Sequence, residues 1–184
     1  MKRACLLCLL LVLSLAARAE DMYADEARQL VKQFASELKG RLVAGMKAGG
    51  PVNAIGFCNI EAPGIASKIS SNSGWRVART SLKLRNPGNQ PDAWEKKVLE
   101  QFEAERLAGE DPTTLEHSET VTQNGKSTYR YMKAIPTGEL CLACHGSHLA
   151  EGTSNKLAEL YPEDRATGFS VGELRGAFSL EKDL

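Results

Sequence analysis

Apolar positions in the first part of the chain recur at the spacing of an α-helix. Residues 25–47 carry one every three or four positions, and Gly49-Gly50-Pro51 is a typical stop. A second series repeats at steps of 3, 4, 3 and 4: Ile55, Cys58, Ala62, Ile65 and Ile69. Positions at this spacing share one face, so the pattern predicts two consecutive helices and directs Cys58 inward. Pro63 is expected to kink or restart the second helix.

The pattern then alternates between strand and helix. Residues 75–85 are predicted to be extended, and a third helix should begin at Pro91 and end at Gly109. Residues 115–122 and 127–135 flank Asn124-Gly125, a strong signal for a β-hairpin.

The remaining segments complete the predicted fold. Residues 136–152 read as an irregular loop with a single helical turn, residues 155–160 as a short helix, and residues 173–181 as a last strand. The sum is an α+β domain in which helices come first and an antiparallel sheet closes over a cavity.

The extreme N-terminus has the pattern of an export signal. Lys2 and Arg3 precede an apolar run over residues 4–15, and Ala17-Arg18-Ala19 fits the small-x-small cleavage rule. The sequence therefore predicts a signal peptide at residues 1–19, cleaved after Ala19, and a periplasmic domain at residues 20–184. An uncleaved anchor is the alternative, although the apolar run is shorter than the roughly 20 residues of a membrane span.

Removal of the signal peptide changes the charge balance. Three basic residues leave with it, so the formal net charge goes from zero to −3, with 20 basic and 23 acidic residues on 165. This balance argues against nucleic acid as a partner. No second apolar stretch is long enough for a stable membrane span.

The most specific motif is Cys141-Leu142-Ala143-Cys144-His145. Two thiols three positions apart can bond to both vinyl groups of one haem, and the following histidine presents its imidazole to the iron. The motif predicts one covalently attached haem c with His145 as an axial ligand. The alternatives are a thioredoxin-like redox pair, a zinc site or a disulfide.

The cysteine count raises the question of the second axial ligand. Export removes Cys5 and Cys8, so a haem on the motif leaves Cys58 as an unpaired thiol in an oxidising compartment. On the residues alone, Cys58 is as well explained as a small buried apolar residue. The other candidate ligands are Met22, Met46, His117, Met132 and His148, or no ligand at all.

Four ordered segments, at residues 54–63, 79–87, 141–146 and 172–179, resemble the Tll-type haem-binding family of c-type haem proteins, formerly a domain of unknown function. The resemblance covers essentially the whole mature chain. It implies a PAS-like antiparallel sheet with a long N-terminal helix and packed helices around one haem. It also implies His/Cys ligation of the iron, which assigns the second axial position to Cys58.

The functional expectation follows from that ligand pair. A thiolate stabilises Fe(III), and its bond should weaken on reduction, which would open a site for NO or CO. Propionate partners are expected among Arg79, Arg85 and Arg130, unless these side chains only solvate the sheet.

The first hypothesis is therefore a redox or gas sensor that passes its signal to a separate signalling or redox partner. A periplasmic electron-transfer cytochrome is the alternative. An enzyme ranks third, because no acid or base can be assigned to an open site.

Overall fold

The computed structural model describes the backbone of residues 2–184 and the side chains of residues 18–184. The predicted signal peptide therefore lies almost wholly outside the described side chains. The regular elements in chain order are α1 (Lys2–Ser73), β1 (Arg76–Thr80), α2 (Ala93–Leu107), β2 (Glu116–Gln123), β3 (Lys126–Pro136), α3 (Leu142–His145), α4 (Glu151–Leu160) and β4 (Leu174–Asp183). Short 3₁₀ turns occur at Pro87–Asn89 and Glu139–Cys141.

The two predicted N-terminal helices meet inside α1. The backbone leaves helical dihedral angles at Gly49 and at Gly50, where φ is +69°. Glycine adopts this left-handed region without a steric penalty, and Pro51 suits the first turn of the helix that follows. The predicted stop is confirmed. Of the kink or restart predicted at Pro63, the restart does not occur, because α1 continues through it with helical dihedral angles.

The four strands form one antiparallel sheet in the order β1-β4-β3-β2. Asn124 and Gly125 have φ values of 52° and 76°, as a two-residue type I′ hairpin turn requires, so the predicted hairpin is confirmed. Gly176 lies where β4 approaches β1 most closely. A Cβ added there would lie 2.3 Å from the Thr80 carbonyl oxygen, so only glycine permits this pairing.

Several predicted boundaries differ from the structure, among them the start of the short helix α4, which is Glu151 rather than residue 155. The extended segment after Trp75 ends at Thr80, because the Ser81 hydroxyl bonds to the backbone N–H and carbonyl of Lys83 and turns the chain. The third helix begins at Ala93 rather than Pro91. Asp92 is its N-cap and forms a capping box with Glu95.

Helices cover both faces of the sheet. On one face α1 packs against the strands through a cluster that includes Phe34, Ile65, Ile69, Trp75, Tyr131 and Leu180. On the other face α2 packs through Val98, Leu99, Phe102, Met132 and Ala177. The α+β architecture with a long N-terminal helix and an antiparallel sheet is therefore confirmed. Across residues 18–184, no helix is long and apolar enough to span a bilayer.

Candidate haem-binding site

The Cys-x-x-Cys-His motif occupies one turn of helix beyond the end of β3. The segment before it is tied to the entry of β4, because Thr137 N–H donates to the Glu173 carbonyl at 2.8 Å and the Thr137 carbonyl accepts from Gly172 N–H at 2.8 Å. Cys141 ends the 3₁₀ turn and Cys144 lies in α3, one turn later. Residues three apart on a helix lie on the same side. Both cysteines are free thiols, so both sulfurs are available for one ligand.

One ring nitrogen of His145 is bonded to the backbone, and the other, Nε2, lies 3.5 Å from both Arg85 Nη1 and Arg175 Nε. Its Nδ1 lies 2.6 Å from the Ala166 carbonyl oxygen, which can only accept, so Nδ1 carries the proton. Burial, and then the charges of Arg175 and Arg85, lower the pKa of His145 to about 2. The imidazole is therefore neutral at pH 7, with Nε2 as the unprotonated atom. A backbone carbonyl that fixes the tautomer in this way is typical of metal-binding histidines.

Residues 164–169 form a collar behind the motif. Phe169 N–H donates to the His145 carbonyl at 2.9 Å, and Gly168 N–H donates to the Gly146 carbonyl at 3.1 Å. Arg85 joins the collar to the motif from a third segment. Its Nη2 donates to the Cys144 carbonyl at 2.6 Å, and its Nε donates to the Asp164 carboxylate at 3.1 Å. Arg85 thus holds the loop in place.

The ion pair between Arg85 and Asp164 is nearly buried, with only 12% and 10% of the side chains exposed. Replacing Asp164→Asn leaves the guanidinium without a counter-charge, so we expect the free energy of unfolding to fall by about 3 kcal/mol. Urea denaturation of the mature protein measures this loss. The matched control is Glu159→Gln, which breaks an exposed ion pair with Lys156 and should cost less than about 1 kcal/mol. Equal effects of the two substitutions would contradict the bracing role of the pair.

Cys58 lies on the half of α1 that follows the glycine break. Its side chain is half-buried, and α1 contacts both α3 and α4. Burial raises the pKa of the Cys58 thiol, while the charges of Arg79 and Arg85 lower it. Burial raises the pKa of the Cys144 thiol, the charge of Arg85 lowers it, and the charge of Cys58 adds a smaller increase. The apolar face of α1 that carries Cys58 and the haem-attachment motif are more than 80 residues apart in sequence. They nevertheless lie close together in the structure.

Arg79 joins this group from β1. Arg79 lies on the same face of β1 as Val77, which is the side covered by α1. Its guanidinium carbon lies 5.7 Å from the centre of the Phe34 ring. Burial lowers the pKa of Arg79, and the charge of Cys58 raises it. Within residues 18–184 no carboxylate lies at ion-pair distance from Arg79, and no hydrogen bond engages its guanidinium. Its positive charge is therefore available to an anionic ligand.

The structure does not bring Arg130 to this group. Arg130 alternates with Tyr129 and Tyr131 and so faces α2, on the opposite side of the sheet. It contacts Asp92 at 2.7 Å and Glu181 at 2.5 Å, and it lies 4.3 Å above the Trp94 ring. Arg130 lines a separate cavity of about 530 Å³ beside the hairpin turn. The carboxylates of Asp92 and Glu181 neutralise the charge of Arg130.

The other candidate axial ligands lie away from the motif or are exposed. Met132 is fully buried against α2, and His117 packs on Trp94 with ring centres 5.8 Å apart. His148 is exposed, as is Met22, which has 70% of its surface accessible. Met46 lies on the other half of α1, before the break at Gly49. Cys58 is the candidate that shares a neighbour with the motif, since Arg85 is bonded to Cys144 and also acts on the Cys58 thiol.

Sequence reasoning missed three contributors to the site. Arg175 contacts the His145 ring, Asp164 braces Arg85, and the Ala166 carbonyl orients the imidazole. Arg175 stands in one of the four ordered segments at residues 172–179, so that segment was the available signal. Nothing in the sequence marks Asp164 or Ala166, because their roles depend on how residues 164–169 fold against the motif.

The alternative chemistries of the motif find little support. A structural zinc requires four ligands. Among the residues whose side chains are described, no group of three or more His, Cys, Asp or Glu could hold a metal ion. The three described cysteines are all free thiols. The two motif thiols, three residues apart, and the neutral imidazole are the groups that a covalently held haem requires.

Comparison with known proteins identifies the family of the chain. Residues 14–182 match the sequence profile of the Tll0287-like family. The chain belongs to the Tll0287-like family. Among solved structures it is similar to that of Tll0287, described as a cyanobacterial heme-protein, with 26% identity and a TM-score of 0.64. The similarity covers 85% of this chain and 91% of that one. No curated protein matches the chain.

Membership of the Tll0287-like family supports the fold described above and indicates the class of ligand. The solved relative and this chain share their architecture over most of their lengths, so the resemblance noted in the sequence is confirmed. The relationship to a heme-protein suggests that this chain binds haem.

Proposed function

We propose that this chain is an exported c-type haem protein whose iron is held between His145 and Cys58, and that it works as a ligand-switching redox or gas sensor. One observation carries the proposal. The helix that carries Cys58 contacts the short turn that contains Cys144 and His145, and Arg85, which is bonded to that turn, also lies close enough to act on the Cys58 thiol. In a chain that only attached haem through its motif, nothing would require a third sulfur at this turn.

The residues of the site divide the work of holding one haem. Cys141 and Cys144 supply the thiols for two thioether bonds, and His145 supplies Nε2. The haem, when bound, supplies one-electron chemistry and an axial position that a small molecule can occupy. The guanidinium of Arg79 is free of protein carboxylates and suits a propionate. Arg85 supports the motif, and it adds positive charge on the same side.

Cys58 is the residue that gives the site two states. As a thiolate it lies near the positive charges of Arg79 and Arg85, which favour the anion. As a thiol it fits the apolar stripe of α1 beside Ala62 and Ile65. A sulfur that is accommodated in both forms can bind the iron or leave it. With haem bound, His145 and Cys58 would hold the iron, and a Cys58 that takes up a proton when the iron is reduced could leave it and make room for NO or CO.

Export is part of the same proposal. Haem is attached covalently to such motifs outside the cytoplasm, and the N-terminal pattern of Lys2, Arg3 and the apolar run supports delivery there. Cleavage after Ala19 would leave a periplasmic domain. The sensor would then act on a separate redox or signalling partner.

A periplasmic electron-transfer cytochrome is the second candidate. Two apolar side chains next to the ligands are exposed, namely Phe57 at 37% and Leu140 at 39%. Apolar residues near a redox site suit brief contact with a partner protein. A carrier differs from a sensor in one respect: Cys58 would stay on the iron in both oxidation states.

Absorption spectra of the purified protein, recorded in both oxidation states with and without NO, separate these functions. The sensor proposal predicts that the ferric protein is low-spin and resists NO, whereas the ferrous protein loses the thiolate and binds NO readily. Unchanged six-coordinate spectra in both states, with no NO adduct, would favour the carrier instead. Control spectra with Cys58→Ser identify the bands that depend on the thiolate.

A further inference from the structure

Arg175, the second residue of β4, lies against the ring of His145. Its Nε is 3.2 Å from Nδ1 and 3.5 Å from Nε2 of the imidazole. Because Nδ1 already donates to the Ala166 carbonyl, Arg175 cannot be a simple hydrogen-bond donor to that atom. The guanidinium instead lies beside the ring, where its charge acts on both nitrogens.

Two further contacts fix the guanidinium in this position. Its Nη1 donates to the Ser81 hydroxyl at 3.0 Å and to the Lys83 carbonyl at 3.3 Å. Its central carbon lies 5.5 Å from the centre of the Phe169 ring. Phe169 also meets the His145 ring edge-on, at 6.2 Å and 90°. Arg175 and His145 are thus held against the same phenyl ring.

The charge of Arg175 is not neutralised by an ion pair. Within residues 18–184 no carboxylate lies within ion-pair distance of it, and the nearby Asp164 is engaged by Arg85. The partners of Arg175 are a hydroxyl, a carbonyl and aromatic rings, which are all neutral. A full positive charge therefore stands in contact with the proposed axial ligand.

We propose that Arg175 is a positioning residue that raises the reduction potential of the iron by holding a fixed positive charge against His145. The inference rests on the proposed function. A cation next to the imidazole disfavours the more positively charged, oxidised metal and weakens donation from the ring. The charge of Arg175 therefore raises the reduction potential, whereas the thiolate of Cys58, which favours the oxidised state, lowers it. The two groups together would set a potential at which the switch can operate.

Redox titration of the mature, haem-loaded protein tests the role of this charge. Arg175→Gln should lower the midpoint potential by about 59 mV. For one electron, this shift is a roughly tenfold fall in the ferrous-to-ferric ratio at a fixed potential. Arg175→Lys keeps the charge and should stay near the parent value. Arg76→Gln, at the far end of β1 and 69% exposed, makes the same charge change away from the site and should have little effect.

Ser81→Ala is a second and milder variant, since it removes an anchor of the guanidinium but keeps the charge. It should lower the potential in the same direction by a smaller amount. The inference is overturned if the midpoint potential of Arg175→Gln equals that of Arg76→Gln. It is also overturned if Arg175→Lys lowers the midpoint potential as far as Arg175→Gln does. If Arg175→Gln does not fold, an unchanged potential in Ser81→Ala overturns it. A parent protein without covalent haem would overturn the proposed function itself, which is a separate result.

Discussion

Replacing Cys141 and Cys144 together with serine is expected to abolish covalent attachment of haem. A hydroxyl does not form the thioether bond to a vinyl group, so any haem that the variant binds through His145 should be removed by denaturant. A haem-stained denaturing gel of protein expressed with a c-type maturation system measures the loss. The parent protein should stain, and the double variant should be blank.

Cys58→Ser is the control for that gel, because it removes a thiol from the same site without touching the attachment motif. It should stain as strongly as the parent protein. Loss of covalent haem in Cys58→Ser, or retention in the double variant, would contradict the division of roles among the three cysteines.

The second large effect concerns the character of the iron site. Cys58→Ser should retain fold and covalent haem but lose the ferric thiolate signature. Its potential should rise by about 59 mV or more, a tenfold change in the ferrous-to-ferric ratio, because the electron-rich ligand is gone. Serine is nearly isosteric, so the free energy of unfolding should change by only about 1 kcal/mol. Ferric ligand binding should become easier. Absorption spectra and redox titration measure these changes.

Ala62→Ser is the matched control for this substitution. Ala62 lies one turn further along the same stripe of α1 and is 3% exposed, so the change places a hydroxyl at a more buried position of the same stripe without removing a thiol. Its ferric spectrum should equal that of the parent protein. If Cys58→Ser also leaves the spectrum and the potential unchanged, Cys58 is only a packing residue and the switch is wrong.

Local signals in the sequence were enough to predict most of the helices and strands. The spacing of apolar residues gave the two helices of α1, Gly49 and Gly50 gave their boundary, and Asn124-Gly125 gave the hairpin. Each of these depends on residues close together in sequence. The errors have the same origin. A proline disfavours a helix in isolation, but here residues on both sides of Pro63, such as Ala62 and Ile65, are buried, and α1 stays helical through it.

The site was predictable only in part, because its residues come from five segments. The motif identified Cys141, Cys144 and His145, and the stripe on α1 directed Cys58 inward. Which arginines approach them depends on the faces of strands. Arg79 and Arg130 look equivalent in sequence, yet one faces α1 and the Cys58 side while the other faces α2 and three carboxylates.

The most direct test of the central claim is the intact mass of the mature protein, measured after denaturation, from cells that can mature c-type haem. Covalent attachment through Cys141 and Cys144 predicts a polypeptide that begins at Glu20 and carries the added mass of one haem. A mass equal to the polypeptide alone, in a protein that is otherwise exported and folded, would contradict it.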